Sequence, residues 1–290
     1  VTNSTGFQIE QNSPTVTTIR VPVQRNRQWE QWALLSADRH FDNPKSRQDM
    51  QKKHLDEARD RGALVLDFGD LFCAMQGKND RRGKKGGTRG ENITPDYFGS
   101  LVRSGVKLFE PYLDNLALMG PGNHETAILS HNEIDLTTAL VERLQDKGSK
   151  VVRGGYRGWV RFLFKGTTYG QGISMHYSHG SGGGGVVTKG VIQANRRAVW
   201  LPDAQIVVSG HIHEAWQVEY CRARLSEKGA EFTDEQLHIC LPTYKDEFTD
   251  CANGFHVENE RPPKPLGAWW LRFYWDHIKE KVSLEATRAK

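Results

Sequence analysis

A chain of 290 residues with 37% hydrophobic and 10% aromatic side chains can bury a substantial core, which separates it from disordered polar chains. No run of about 18 apolar residues is present, which excludes a membrane-spanning helix, and four cysteines at irregular spacings (Cys73, Cys221, Cys240, Cys251) are too few for a disulfide framework. The net charge of +4 is concentrated: residues 78–90, KNDRRGKKGGTRG, hold Lys78, Arg81, Arg82, Lys84, Lys85 and Arg89 against Asp80 alone, so this segment carries +5 and the remainder of the chain −1.

The N-terminal stretch VTNSTGFQIEQNS lacks the basic-then-apolar pattern of a signal peptide. With the sparse cysteines, this leads us to expect an intracellular, cytoplasmic setting with no membrane partner. Residues 14–23, PTVTTIRVPV, read as an extended β-branched segment leading to a strand at 32–36. Asn43-Pro44 has the form of a helix start, with Asn43 as N-cap, and the polar run to Arg61 ends at Gly62. A short apolar strand follows at 63–67. After the basic insertion, taken as 77–91, Thr94-Pro95 opens a helix towards Glu110, where Pro111 is expected to break or kink it.

Leu116–Met119 is a third apolar run, and residues 135–145 are helical in pattern up to Gly148. Strands are expected at 159–164 and 172–177, a helix at 186–200 and a strand at 205–209. Further strands are expected at 216–220, 237–241 and 268–274, the last being the aromatic run Trp269-Trp270-Leu-Arg-Phe273-Tyr274-Trp275, read as packed core with one exposed face. No internal repeat or linker divides the chain, so a single α/β domain over 1–290 is expected, its C-terminal part 214–290 rich in strands.

Five of these strand ends finish in polar residues able to bind metals: Asp38-Arg39-His40, Gly69-Asp70, Gly122-Asn123-His124-Glu125, His179-Gly180 and Gly210-His211-Ile212-His213. Each has an ordinary alternative. A D-x-H can be a polar loop, Gly-Asp a turn, Asn-His a helix cap, and His211 with His213 one face of an exposed strand. Five in succession are poorly explained that way, because ligand sites collect at the carboxyl ends of strands in layered α/β folds. On an extended chain, Asp38 and His40 would point the same way and Arg39 the other, so Arg39 is given no catalytic role. The oxygen and imidazole donors, with no thiolate among them, suit manganese, iron or zinc.

In this order and strand context the motifs resemble those of the calcineurin-like metallophosphoesterases: D-x-H (38–40), G-D (69–70), G-N-H-E (122–125), a lone His (179) and G-H-x-H (210–213), spanning about residues 32–213. The resemblance implies a four-layer fold, a two-sheet β-sandwich core flanked by helices, with two divalent ions at the sheet edge. Manganese is the first expectation, with iron, zinc and magnesium as alternatives. It places Asp38, His40 and His213 on one ion, Asn123, His179 and His211 on the other, and Asp70 between them. His176 is the other histidine of the same strand. The family often extends its second motif to G-D-x-x-D, where this chain has Cys73.

Two such ions generate a hydroxide at neutral pH and neutralise phosphate charge, so the implied activity is phosphate-ester hydrolysis, with Asp70 bridging and His124 as general acid. The substrate class stays open between a nucleic-acid or nucleotide phosphodiesterase and a phosphomonoesterase acting on small molecules or proteins. Arg81, Arg82, Lys84 and Lys85 would clamp DNA or RNA phosphates if the basic loop binds a polyanion, with Lys189, Arg196 and Arg197 adding cationic surface. The alternatives are a solvated loop and the exposed face of a helix. A partner-binding scaffold of the same fold that has lost catalysis is the remaining reading. Such proteins lose ligands or the G-N-H histidine, and all are present here.

Overall fold

The structure, a computed structural model, describes residues 6–76, 85–166, 170–183, 185, 187–249 and 255–290. Arg81, Arg82 and Lys84 therefore lie outside the described residues, as does the side chain of Lys85.

In chain order the elements are β1 (Gln8–Ser13), β2 (Val16–Pro22), β3 (Glu30–Ser36), α1 (Gln48–Asp60), β4 (Leu64–Asp67), α2 (Tyr97–Phe109), β5 (Leu116–Met119), α3 (Asn123–Asn132), α4 (Leu136–Asp146) and β6 (Val152–Arg153). There follow β7 (Arg157–Lys165), β8 (Gly172–Ser178), α5 (Val191–Trp200), β9 (Ile206–Ser209), β10 (Trp216–Leu225), β11 (Glu231–Cys240), α6 (Phe255–Glu258), β12 (Ala268–Asp276) and β13 (Lys281–Ala289). They build two sheets, a seven-stranded one in the order β1-β2-β7-β8-β9-β11-β10 and a six-stranded one in the order β13-β12-β3-β4-β5-β6.

The alternation of apolar side chains explains the layers. Along β7, Gly158, Val160, Phe162 and Phe164 are buried while the residues between them are half-buried or exposed. These join Leu35, Leu66, Met175, Val208, Ile239, Leu271 and Phe273 in the core between the two sheets. On the other face of the six-stranded sheet, Leu34, Val65 and Trp270 pack against Leu55 of α1, Leu101, Val106 and Phe109 of α2, and Leu140 and Leu144 of α4. Outside the seven-stranded sheet, α5 leads into Leu201 and Ala204, which pack on Val207 and Trp159. The result is four layers: helices, sheet, sheet, helix. Each fully buried large apolar side chain contributes about 1.5–3 kcal/mol relative to exposure.

Several expectations are corrected. The first helix begins at Gln48 and not at Pro44, because Asn43 Oδ1 instead accepts from Lys45 N at 2.9 Å and closes a local turn. At Pro111 the expectation holds: α2 ends at Phe109, and Pro111 sits in the short 3-10 turn, Glu110–Tyr112, that follows. The aromatic strand β12 has no free face over its first half: Ala268 to Leu271 are all buried, because the sheet is covered on both sides. The strands β1, β6 and β13 and the helices α3 and α6 are not among the elements expected from the sequence.

Within this frame, β3, β4 and β5 run parallel in one sheet, and β8 and β9 run parallel in the other. Their carboxyl ends meet at one edge, where all five motifs are found.

Candidate metal centre

The motifs lie just beyond the strands, not on them. Asp38 (φ 53°), His40 (φ 45°), Asp70 (φ 53°), His211 (φ 72°) and His213 (φ 55°) all occupy the left-handed region of backbone space. Such conformations cost on the order of 1–3 kcal/mol each and persist only where their surroundings impose them. Asp38 and His40 therefore do not converge through an extended chain, and GHIH is not a strand face.

The imposing contacts can be named. Asp38 N donates to Gly69 O at 2.8 Å and His40 N to Asp70 O at 3.0 Å, tying the first two motifs side by side. The Asp38 carbonyl accepts from Thr243 Oγ1 (2.9 Å) and Tyr244 N (3.1 Å), and the Arg39 carbonyl accepts from Ser46 Oγ (2.6 Å) and Gln51 Nε2 (3.1 Å). Arg39 points away from the centre, as expected, and is fully buried. Its Nε donates to Asp67 Oδ2 and its Nη2 to Ser36 Oγ (2.8 Å), with its guanidinium 5.0 Å from the Tyr244 ring and 5.5 Å from the Phe109 ring.

Glu125 ties together the second and third motifs. This buried carboxylate accepts from Asp70 N (3.0 Å), Phe72 N (2.8 Å) and Gly122 N (2.7 Å). Burial and the neighbouring Asp70 carboxylate push its pKa up to about 8, against the pull of these N–H donors. Glycine is obligatory beside it. A Cβ on Gly69 (φ +103°) would lie 2.5 Å from Gly122 N, and one on Gly122 would lie 2.1 Å from Asp70 Oδ1.

Two donor groups result. Asp38, His40 and His213 offer ligand atoms all within 4.8 Å of one another, as do Asp70, His179 and His211. In the first, His213 Nε2 lies 3.1 Å and His40 Nε2 3.9 Å from Asp38 Oδ1, while Asp38 Oδ2 accepts from His211 N at 2.9 Å. In the second, Asn123 Oδ1 lies 2.7 Å from His211 Nδ1 and 3.1 Å from His179 Nε2, which is itself 3.3 Å from Asp70 Oδ2. His179 Nδ1 donates to the Phe68 carbonyl at 2.9 Å, which leaves Nε2 facing the donor group. His176 is elsewhere, on the outer face of β8 between Trp159 and Trp200, with ring centroids 5.0 and 5.8 Å away.

These residues fit divalent ions by their own electrostatics. Burial lowers the His179 pKa, yet the carboxylate of Asp70, its hydrogen bond and the charges of Asp38 and Glu125 outweigh burial and push it up to about 10. Burial likewise opposes ionisation of Asp70, but His124, His179 and His40 outweigh it and hold its carboxyl well below the usual range. His40 is pushed the other way, chiefly by burial and then by His124, so it stays neutral with a free lone pair. Positive charge is thus favoured between carboxylates whose imidazole neighbours can act as ligands.

His124 stands over this centre. Its Nδ1 donates to the Cys73 carbonyl, its backbone N donates to Asp70 Oδ1 at 2.9 Å, and its Nε2 lies 3.7 Å from Asp70 Oδ2. Its side chain remains 14% exposed, so a substrate atom can reach it. Lys189 and Arg196 are exposed and Arg197 is half-buried, and none of them contacts the donor groups. A groove of about 490 Å³ lined by Arg59, Asp60, Glu110 and Lys147 lies at the other end of α1 and holds none of these donors.

The sequence left Glu125, Asp67 and the Thr243-Tyr244 pair without roles. Glu125 had a signal, as the third residue of a helix beginning at Asn123, where a carboxylate can accept from backbone N–H groups before the helix.

No family model matches the chain, and no curated protein matches it. Among solved structures, zinc-complexed Vps29 of Entamoeba histolytica superposes with TM-score 0.34 and 7% identity over 89% of this chain and 99% of that one. GAP50, the anchor in the inner membrane complex of Plasmodium, gives TM-score 0.41 and 10% identity over 90% and 85%. Vps29 of Chaetomium thermophilum gives 0.29 and 10% over 89% and 94%. These overlaps are too loose to bear on function, which is read below from the side chains of the centre. Among the described residues, no helix is long and apolar enough to cross a membrane.

Proposed function

We propose that the chain is a dinuclear-metal phosphoesterase. The observation that carries this reading is the pair of donor groups, Asp38/His40/His213 and Asp70/His179/His211, adjoining through the Asp38–His211 and Asn123 hydrogen bonds. Asp38, His40 and His213 would hold one ion, and Asn123, His179 and His211 the other. Asp70 would serve both, since a carboxylate offers two anionic oxygens. Manganese suits these oxygen and imidazole donors, with iron, zinc or magnesium as alternatives. Two ions so placed supply a hydroxide at neutral pH and offset the charge of a phosphate ester.

The chain's own contribution is proton delivery and positioning. His124 Nδ1–H is engaged by the Cys73 carbonyl, so Nε2 is the atom that meets the leaving oxygen and gives it a proton. Glu125 holds the Asp70 backbone in place. For substrate, we propose a phosphodiester of a nucleic acid or nucleotide, the basic residues 78–90 acting on backbone phosphates.

The test is hydrolysis of bis-p-nitrophenyl phosphate and p-nitrophenyl phosphate by metal-stripped protein resupplied with manganese. Turnover of the diester in wild type, abolished in Asp70→Asn and reduced about 100-fold or more in His124→Ala, supports the reading. Turnover of the monoester alone would make it a phosphomonoesterase. Failure to bind manganese would end the proposal.

A further inference from the structure

The centre contains a third group of convergent donors, which adds Cys73, a residue that the phosphoesterase reading leaves unused, to His40 and His124. We propose that Cys73, His40 and His124 form an additional site for a soft or borderline divalent cation, zinc or cobalt, and that an ion held there shuts the enzyme down. The ligand atoms of these three residues lie within 4.8 Å of one another. The existence of the site rests on these donors alone, whereas its inhibitory effect rests on the role of His124 proposed above.

The group is built. Asp42, itself buried, accepts from Cys73 N and from Ala74 N (2.9 Å), which fixes the backbone that carries the thiol, and Ala74 takes a left-handed conformation (φ 46°) to allow it. Asn43 Nδ2 reaches Cys73 Sγ at 3.3 Å. The Cys73 carbonyl orients the His124 ring through Nδ1, and the rings of His124 and His40 stand 4.8 Å apart, centroid to centroid. His40 is 2% exposed, and its Nδ1 has no hydrogen-bond partner among the described residues. A buried ring nitrogen left unmatched is unfavourable, and a cation is one means of matching it.

The chemistry selects the ion. Two imidazole nitrogens and a sulfur make a poor site for magnesium or manganese and a good one for zinc or cobalt. Cys73 would bind as thiolate, its proton passing to solvent, and three protein donors leave a fourth position for water. Because His40 belongs to both this group and the first pocket, an ion here competes with the first pocket for that imidazole. It also withdraws His124 from the leaving oxygen. Zinc beyond the catalytic requirement therefore inhibits, and Cys73 is the residue that makes it do so.

The probe is cobalt alone, added to metal-free protein carrying Cys221→Ser to remove the thiol that is exposed among the described residues. The expected result is a near-ultraviolet thiolate-to-cobalt charge-transfer band, absent in Cys73→Ser. Cobalt bound, as seen by its visible absorption, without that band in the Cys73 protein overturns the site and leaves the two-ion centre standing. That measurement needs no folded Cys73 variant. Persistence of the band in Cys73→Ser also overturns it, and failure to bind any cobalt ends both proposals. For the functional arm, zinc titrated into the manganese-loaded enzyme should reduce diester turnover about 100-fold, as expected for loss of a proton donor, with Cys73→Ser resistant. Equal inhibition of both proteins overturns the inhibitory role.

Discussion

Arg39→Met should be among the most damaging single changes outside the metal donors. Arg39 and Asp67 are both 0% exposed, so their ion pair is unscreened by solvent. Breaking such a pair by removing one partner costs about 3–5 kcal/mol, because the other charge stays buried without compensation. Burial already raises the Asp67 pKa in opposition to Arg39, so without Arg39 the carboxyl would take up a proton at higher pH. Loss of the guanidinium from between the Phe109 and Tyr244 rings adds to the cost. The damage should reach the centre, because Arg39 separates Asp38 from His40, and disturbed support around ligands lowers metal affinity about 10–100-fold. Equilibrium urea unfolding of wild type, Arg39→Met, Asp67→Leu and the double variant measures the first effect, and manganese titration the second. The double variant should recover about 2 kcal/mol or more relative to the sum of the singles. An Arg39→Met protein within 1 kcal/mol of wild type, or strict additivity of the two changes, would refute this account.

Other expectations follow from the same geometry. Gly122→Ala leaves every donor in place but puts a Cβ 2.1 Å from Asp70 Oδ1, so it should abolish manganese binding in a stoichiometric titration, while an alanine at exposed Gly86 should leave binding unchanged. Glu125→Gln weakens the acceptor shared by three backbone N–H groups and should lower manganese affinity about 10–100-fold by calorimetry. His54, His176 and His238 are held neutral by burial, each with its pKa lowered from 6.5 to about 4. The unfolded chain then binds protons that the native one refuses, so stability present above pH 6.5 should fall as pH drops towards 4, by at most about 3 kcal/mol per histidine, as urea unfolding across that range would show.

The strands that carry the centre were legible because each is a short apolar run ended by glycine or a polar residue. Leu116–Met119 and Ile206–Ser209 came out within a residue of their true limits. β6 escaped because two residues have no period. β13 escaped because KVSLEATRA is largely half-exposed at a sheet edge, where nothing forces strict alternation. The donor residues were legible as a pattern of types and spacings, but their geometry was not. A two-residue spacing means one face only on an extended chain, and Asp38 and His40 are left-handed. The supports were least visible of all: Asp67 serves Arg39 from 28 residues away, and Thr243 fixes Asp38 from 205 residues away. Cys73, noted only as a departure from a motif, proved to face two of the histidines.

The placement of the motifs has a mechanical consequence. Asp38, His40, Asp70 and Asn123 follow strands of one sheet, whereas His179, His211 and His213 follow strands of the other. Each proposed ion would therefore draw ligands from both sheets at the rim where their packing ends, and would act as a rivet through the two plates. The sheets could not slide or part at that rim without rupturing coordination bonds. Metal loading should thus tighten the whole sandwich as well as equip its chemistry. Each ion at 100 times its dissociation constant would add about 2.7 kcal/mol to the free energy of unfolding. Amides of β3, β4, β8 and β9 nearest the rim should then exchange most slowly in the loaded protein.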